Sequence, residues 1–111
     1  MQQLRDPDLE AIRPILAPDE EVHVGARAAD AVVVVTERRV VVAAGQHVSL
    51  DVPYHGLRRI QFDVEQRRPA TLVIVPERAD LAPQVLEVPA DHISTVSEAL
   101  GIVGSRLARL D

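Results

Sequence analysis

The chain has 111 residues, 47% of them hydrophobic, with 17 acidic against 12 basic side chains, a formal net charge of −5, and no cysteine. That size suits one domain with one core. The missing cysteine excludes disulfides, thiolate nucleophiles and zinc–thiolate sites, and the acidic balance disfavours non-specific attraction to nucleic acid or anionic lipid. With one Phe, one Tyr and no Trp, stacking platforms for single-stranded nucleic acid are excluded as well. No apolar run approaches the roughly 20 residues that span a bilayer. The opening residues place acids where a secretory signal needs an apolar stretch, so the expected location is cytoplasmic.

In chain order, Asp6-Pro7 has the form of a helix N-cap with proline at the first helical position. Leu9, Ile12 and Leu16 then make a short apolar stripe that Pro14 should end or kink. A turn at Ala17-Pro18-Asp19-Glu20 leads to a half-buried strand, in which Val22, Val24 and Ala26 alternate with His23, Gly25 and Arg27. Ala31 to Ala44 (AVVVVTERRVVVAA) places two valine runs on either side of Thr36-Glu37-Arg38-Arg39. Valine is stiff at χ1 and suits strands, so this stretch predicts an antiparallel hairpin. Because the runs do not alternate, both its faces need cover, and the N-terminal stripe is a candidate for the outer one.

Gly45-Gln46 predicts the next turn. Val48, Leu50 and Val52 alternate with polar residues up to Pro53, and Tyr54-His55-Gly56 forms a connector. Ile60 to Val64 and Thr71 to Val75 predict two further strands across the turn Gln66-Arg67-Arg68-Pro69, and Gln84 to Val88 a seventh strand. Asp91 is a plausible cap for a final helix. Along that helix Ile93, Val96, Leu100, Val103, Leu107 and Leu110 form an apolar stripe. Ser97, Gly101, Gly104 and Ala108 form a stripe of small residues beside it. Each helical glycine costs about 1 kcal/mol relative to alanine, which close approach to a sheet or another helix would offset.

Seven strands followed by one amphipathic helix resemble the pleckstrin-homology (PH) fold. LAPDEEV (Leu16 to Val22), VVTERRVVV (Val34 to Val42) and VPYHGLRRIQFD (Val52 to Asp63) resemble, in type and order, stretches of the bacterial PH-like domains. The resemblance implies a mainly β architecture. Seven antiparallel strands in two orthogonal sheets would form a barrel capped by the C-terminal helix, with residues 1–18 as a short N-terminal helix and linker and 19–111 as the PH-like domain. It also implies a non-catalytic, oligomeric module. The basic motif of phosphoinositide-binding relatives is missing: Val24 to Asp30 carries a single arginine and ends in an acid, so no specific phosphoinositide binding is expected.

The arginine pairs are the most suggestive charges. Arg38, Arg39, Arg67 and Arg68 are either solvated turn residues paired with nearby acids, one basic patch for an acidic peptide or phosphate, or oligomer contacts. His23, His47, His55 and His92 lack metal-pair spacing, and no serine stands in a nucleophile motif. The sequence therefore predicts no enzyme, cofactor, metal site or small-molecule substrate. It predicts a protein-binding module or homo-oligomeric scaffold, with self-association through Val33, Val35, Val41 or the Gly101/Gly104 face. The alternative is a peripheral membrane or acidic-ligand module acting through the arginine-bearing turns.

Overall fold

The computed structural model describes residues 12–27, 31–45 and 47–108, with only the backbone of Ala26. Seven strands run in chain order: β1 (Val22–Arg27), β2 (Val32–Thr36), β3 (Arg39–Ala44), β4 (His47–Pro53), β5 (Leu57–Asp63), β6 (Ala70–Pro76) and β7 (Gln84–Val88). They form an antiparallel four-stranded sheet in the order β1-β2-β3-β4 and an antiparallel three-stranded sheet in the order β5-β6-β7. One helix, α1 (Ile93–Ala108), follows a 3₁₀ turn at Ala90–His92. No described helix is long and apolar enough to cross a membrane.

Each predicted strand is present. β5 begins three residues earlier than its alternation suggests and ends at Asp63, which leaves Val64 outside it and 59% exposed. The valine hairpin pairs Val33 with Val42 and Val35 with Val40 on one face, and Val34 with Val41 and Val32 with Ala43 on the other. The first face joins Leu72, Ile74, Val96, Ala99 and Val103 in the main core between the two sheets and the helix. The second face lies in a separate cluster against Ile12, Ile15 and Leu16. Every residue from Val32 to Thr36 is consequently buried, as the unbroken valine run requires.

Three expectations are revised. Where a short N-terminal helix was predicted, the described part is a 3₁₀ turn at Arg13–Ile15 that contains Pro14, while Asp6, Pro7 and Leu9 lie outside the described residues. Proline suits this tight turn because its fixed φ is compatible and its missing N–H is not needed in the first positions. Asp91 does not cap the final helix: it lies within the 3₁₀ turn, whose N-cap is Pro89, and no side chain caps that turn. Finally, the small-residue stripe does not seat closely on another element. Gly101 and Gly104 are exposed, and a Cβ on either would meet nothing within 4 Å. The helix instead buries Thr95, Val96, Ala99 and Val103, packing chiefly on β1. Leu110 lies outside the described residues.

Candidate functional site

The three stretches that carry the PH-like resemblance meet at the β2–β3 turn. The Thr36 hydroxyl oxygen accepts from the N–H groups of Arg38 and Arg39, at 3.0 and 3.1 Å, which bends the chain between the valine runs. Threonine offers the turn this local alternative to ladder bonding. The same hydroxyl donates to Glu20 at 2.6 Å. Glu20 closes its own turn, its N–H donating to the Ala17 carbonyl at 3.0 Å and its carboxylate accepting from the Ala17 N–H at 3.1 Å. The Arg39 guanidinium spans both Glu20 oxygens, at 2.8 and 2.9 Å, and extends to Asp51 at 3.3 Å. From the third stretch, the Tyr54 hydroxyl donates to the Thr36 carbonyl and the Tyr54 N–H to the Arg38 carbonyl at 3.3 Å.

The Glu20 side chain is fully shielded from solvent and that of Arg39 is 23% exposed. Burial alone would raise the Glu20 carboxyl pKa. The bonds from Thr36, the Ala17 N–H and Arg39 outweigh it and hold the group below its ordinary value. Because the folded-state pKa is depressed, this contribution to stability is fully present above the ordinary carboxylate range and is lost as pH falls through the folded value. Unfolding midpoints in urea should therefore drop from about pH 5 to about pH 3, and Glu20→Gln should flatten that slope while lowering stability at neutral pH. An equal slope in the variant would place the acid sensitivity elsewhere.

Arg38 and Arg39, singled out as candidates for a ligand patch, are thus engaged by acids: Arg39 as above, and Arg38 by Asp19 at 3.0 Å with Glu37 at 3.8 Å. Arg67 and Arg68 lie on the other sheet's β5–β6 turn, both exposed. Arg67 takes φ of 67°, and Arg68 lies 3.9 Å from Glu65. The residues singled out for self-association are placed differently from what exposed contacts need. Val33 and Val35 face the main core at 3% and 1% exposure, and Val41 is fully buried in the cluster with Ile12.

An apolar surface that no other described residue covers lies instead on the outer face of β5-β6-β7. Val73 is the direct cross-strand partner of Val85 and of Gln61, and Val75 pairs with Arg59. Val73 and Val75 are half-buried and Val85 is 66% exposed. None of the three belongs to either described core cluster. Asp63, Thr71 and Glu87 follow in the next row and form a polar rim. The signal for this surface was present in TLVIV (Thr71 to Val75), which is as continuous as the valine hairpin. Alternation in β7 could have pointed Val85 to the same side.

Two open grooves lie among the described residues. One, of about 390 Å³, runs between β1 and α1 and is lined by His23, Glu98, Gly101, Ile102, Ser105 and Arg106. The other, of about 380 Å³, includes Asp51, His55, Glu77 and Arg78. Between the sheets and the helix, Val33, Val40, Leu72 and Val96 border a wholly apolar space of about 10 Å³, too small and too dry for a ligand. Burial pushes the Tyr54 phenol above its ordinary pKa, against the opposing effect of the Arg106 guanidinium.

No protein-family model matches the chain, and no curated protein matches it significantly. Solved structures do match it, two of them as follows. A pleckstrin homology domain from Shewanella amazonensis superposes with a TM-score of 0.63 at 19% identity, covering 86% of this chain and 81% of that one. A DUF1696-family protein with a pleckstrin-homology domain from Shewanella loihica gives a TM-score of 0.59 at 18% identity, covering 90% of this chain and 97% of that one. Two antiparallel sheets, a C-terminal helix packed on them, and these two matches along most of each chain's length establish that the protein has the pleckstrin-homology fold.

Proposed function

We propose that this chain is a non-catalytic binding and assembly module, working through protein contacts that include copies of itself. The observation that supports this reading is the Val73–Val75–Val85 surface on the three-stranded sheet. Val85 is 66% exposed beside the half-buried Val73 and Val75, and apolar side chains grouped on one face and rimmed by polar residues favour a protein contact there. β5 and β7 are edge strands of their sheet, and such edges favour association with a second chain. A closed homo-oligomer buries the same patch in every subunit.

Light scattering coupled to size exclusion at micromolar concentration tests it. The wild type should run as a dimer or larger assembly, and Val85→Asp should return the mass to the 12.1 kDa chain with unchanged circular dichroism. A wild-type monomer would remove self-association from the reading. The alternative, an acidic ligand or anionic membrane held by the arginine turns, draws less support because Arg38 and Arg39 already have acidic partners. Salt-sensitive sedimentation with anionic vesicles, abolished by Arg67→Glu, would favour that alternative.

A further inference from the structure

The groove between β1 and α1 is separate from the sheet surface that supports self-association, and its charges are arranged differently from those of the arginine turns. Arg106 lies in the last turn of α1, where a cation interacts favourably with the helix dipole. Its NH2 group lies 3.5 Å from Nε2 of His23 on β1, at the outer limit for a hydrogen bond. Among the described residues it has no carboxylate within ion-pair distance, whereas Arg38, Arg39, Arg68 and Arg78 each do. Arg106 is also only partly exposed, so water compensates its charge less than it would that of a free surface arginine.

An oxygen anion seated between the guanidinium and the Nε2–H tautomer of His23 would accept from both. Ser105 adds a hydroxyl to the same wall, and the helix is bare at Gly101, where an added Cβ would meet nothing within 4 Å. The charge balance selects the kind of anion. Glu98 lines the groove, and Glu21 stands 3.8 Å from Nδ1 of His23. A dianion would be repelled by both, while a single carboxylate neutralises Arg106. The same open groove extends from Arg106 to Glu98, so a longer segment carrying the carboxylate can reach both ends.

Glu98 and Arg106 stand eight residues apart on α1, about 12 Å along the axis. An extended peptide covers that distance in about four residues. We infer that the β1/α1 groove is a docking site for an extended peptide segment of a protein partner, one that presents a carboxylate to Arg106 and His23 and, about four residues away, a cation to Glu98. The site needs no self-association, so the two can fail separately.

The test uses the isotope-labelled full chain, titrated by NMR with the capped peptide acetyl-Glu-Ala-Ala-Ala-Arg-amide. A second peptide replaces its Glu with Gln, and inorganic phosphate is titrated separately. The acidic peptide should shift His23, Gly101, Ser105 and Arg106 saturably, with an affinity of about millimolar. The Gln peptide should bind about tenfold more weakly, as should the Arg106→Gln protein. Gly101→Leu projects a side chain into the groove from a position where a Cβ meets nothing within 4 Å and removes a helical glycine, so it should abolish the shifts while raising the melting temperature. Absence of saturable shifts, equal binding of the Gln peptide, binding of phosphate at least as tight as that of the acidic peptide, or unaltered binding in a folded Gly101→Leu protein would each overturn the inference.

Discussion

Arg39→Ala should destabilise the protein by about 3 kcal/mol, the lower end of the range for breaking a buried ion pair by removing one partner. The cause is the carboxylate left behind. The Glu20 side chain has no solvent exposure, and without the guanidinium fork it retains only Thr36 and the Ala17 N–H as donors. A buried charge with incomplete hydrogen bonding costs far more than an exposed pair contributes. Arg39 itself is 23% exposed, so water entering the gap offsets part of the loss and keeps it from the upper end. Arg39→Lys should recover only part, because an ammonium cannot bridge both carboxylate oxygens in the planar, bidentate manner.

Urea denaturation of Arg39→Ala, Glu20→Gln and the double variant gives the coupling directly. The double variant should be much less destabilised than the sum of the two, since removing either partner already breaks the pair. A loss under about 1 kcal/mol for Arg39→Ala would show that solvent replaces the contact. In that case the turn would depend chiefly on Thr36, whose hydroxyl holds the Arg38 and Arg39 N–H groups.

Removing residues 1–16 should have an effect of similar or greater size. Ile12 is fully buried and, with Ile15 and Leu16, covers Val32, Val34, Val41 and Ala43. Ile12→Ala alone should cost about 3 kcal/mol, as large-to-small changes of buried isoleucine do, or very roughly 10–20 °C in melting temperature for a chain of this size. The full deletion uncovers the outer face of the valine hairpin. It should therefore both lower the melting temperature and raise the scattering mass, because a continuous strand face of valine invites association. A truncated chain with the same melting temperature and mass as the parent would show that the segment contributes nothing to the fold.

These two effects divide along the line between what local sequence decides and what the folded chain decides. Strand identity was legible because it depends on period-two alternation and on valine's stiff side chain, both properties of a few adjacent residues. The same holds for the amphipathic stripe of the last helix and for the need of the valine hairpin to be covered on both faces. The identity of the cover was half legible: Ile12 and Leu16 were marked by their spacing, but the 3₁₀ turn around Pro14 was not, because its geometry follows from docking on the sheet.

Partners far apart in sequence were not legible at all. Arg39 is claimed by Glu20 from 19 residues away and by Asp51 from 12, so a pair that looked available to a ligand is occupied. Val33, Val35 and Val41 looked equally available to a second chain, and folding against the other sheet and Ile12 took all three. TLVIV on β6 has the same unbroken apolar character as VVVV on β2, yet among the described residues only β2 receives a cover on its outer face. Composition cannot choose between them, because the choice depends on where the preceding and following segments run. The small-residue stripe of α1 turned outward for a related reason. The helix is rotated by the fit of Val96, Ala99 and Val103 against the sheets, and that rotation leaves Gly101 and Arg106 on the β1 groove. Local sequence determined which elements form and which faces are apolar, and long-range packing decided which of those faces and charges remained free to bind.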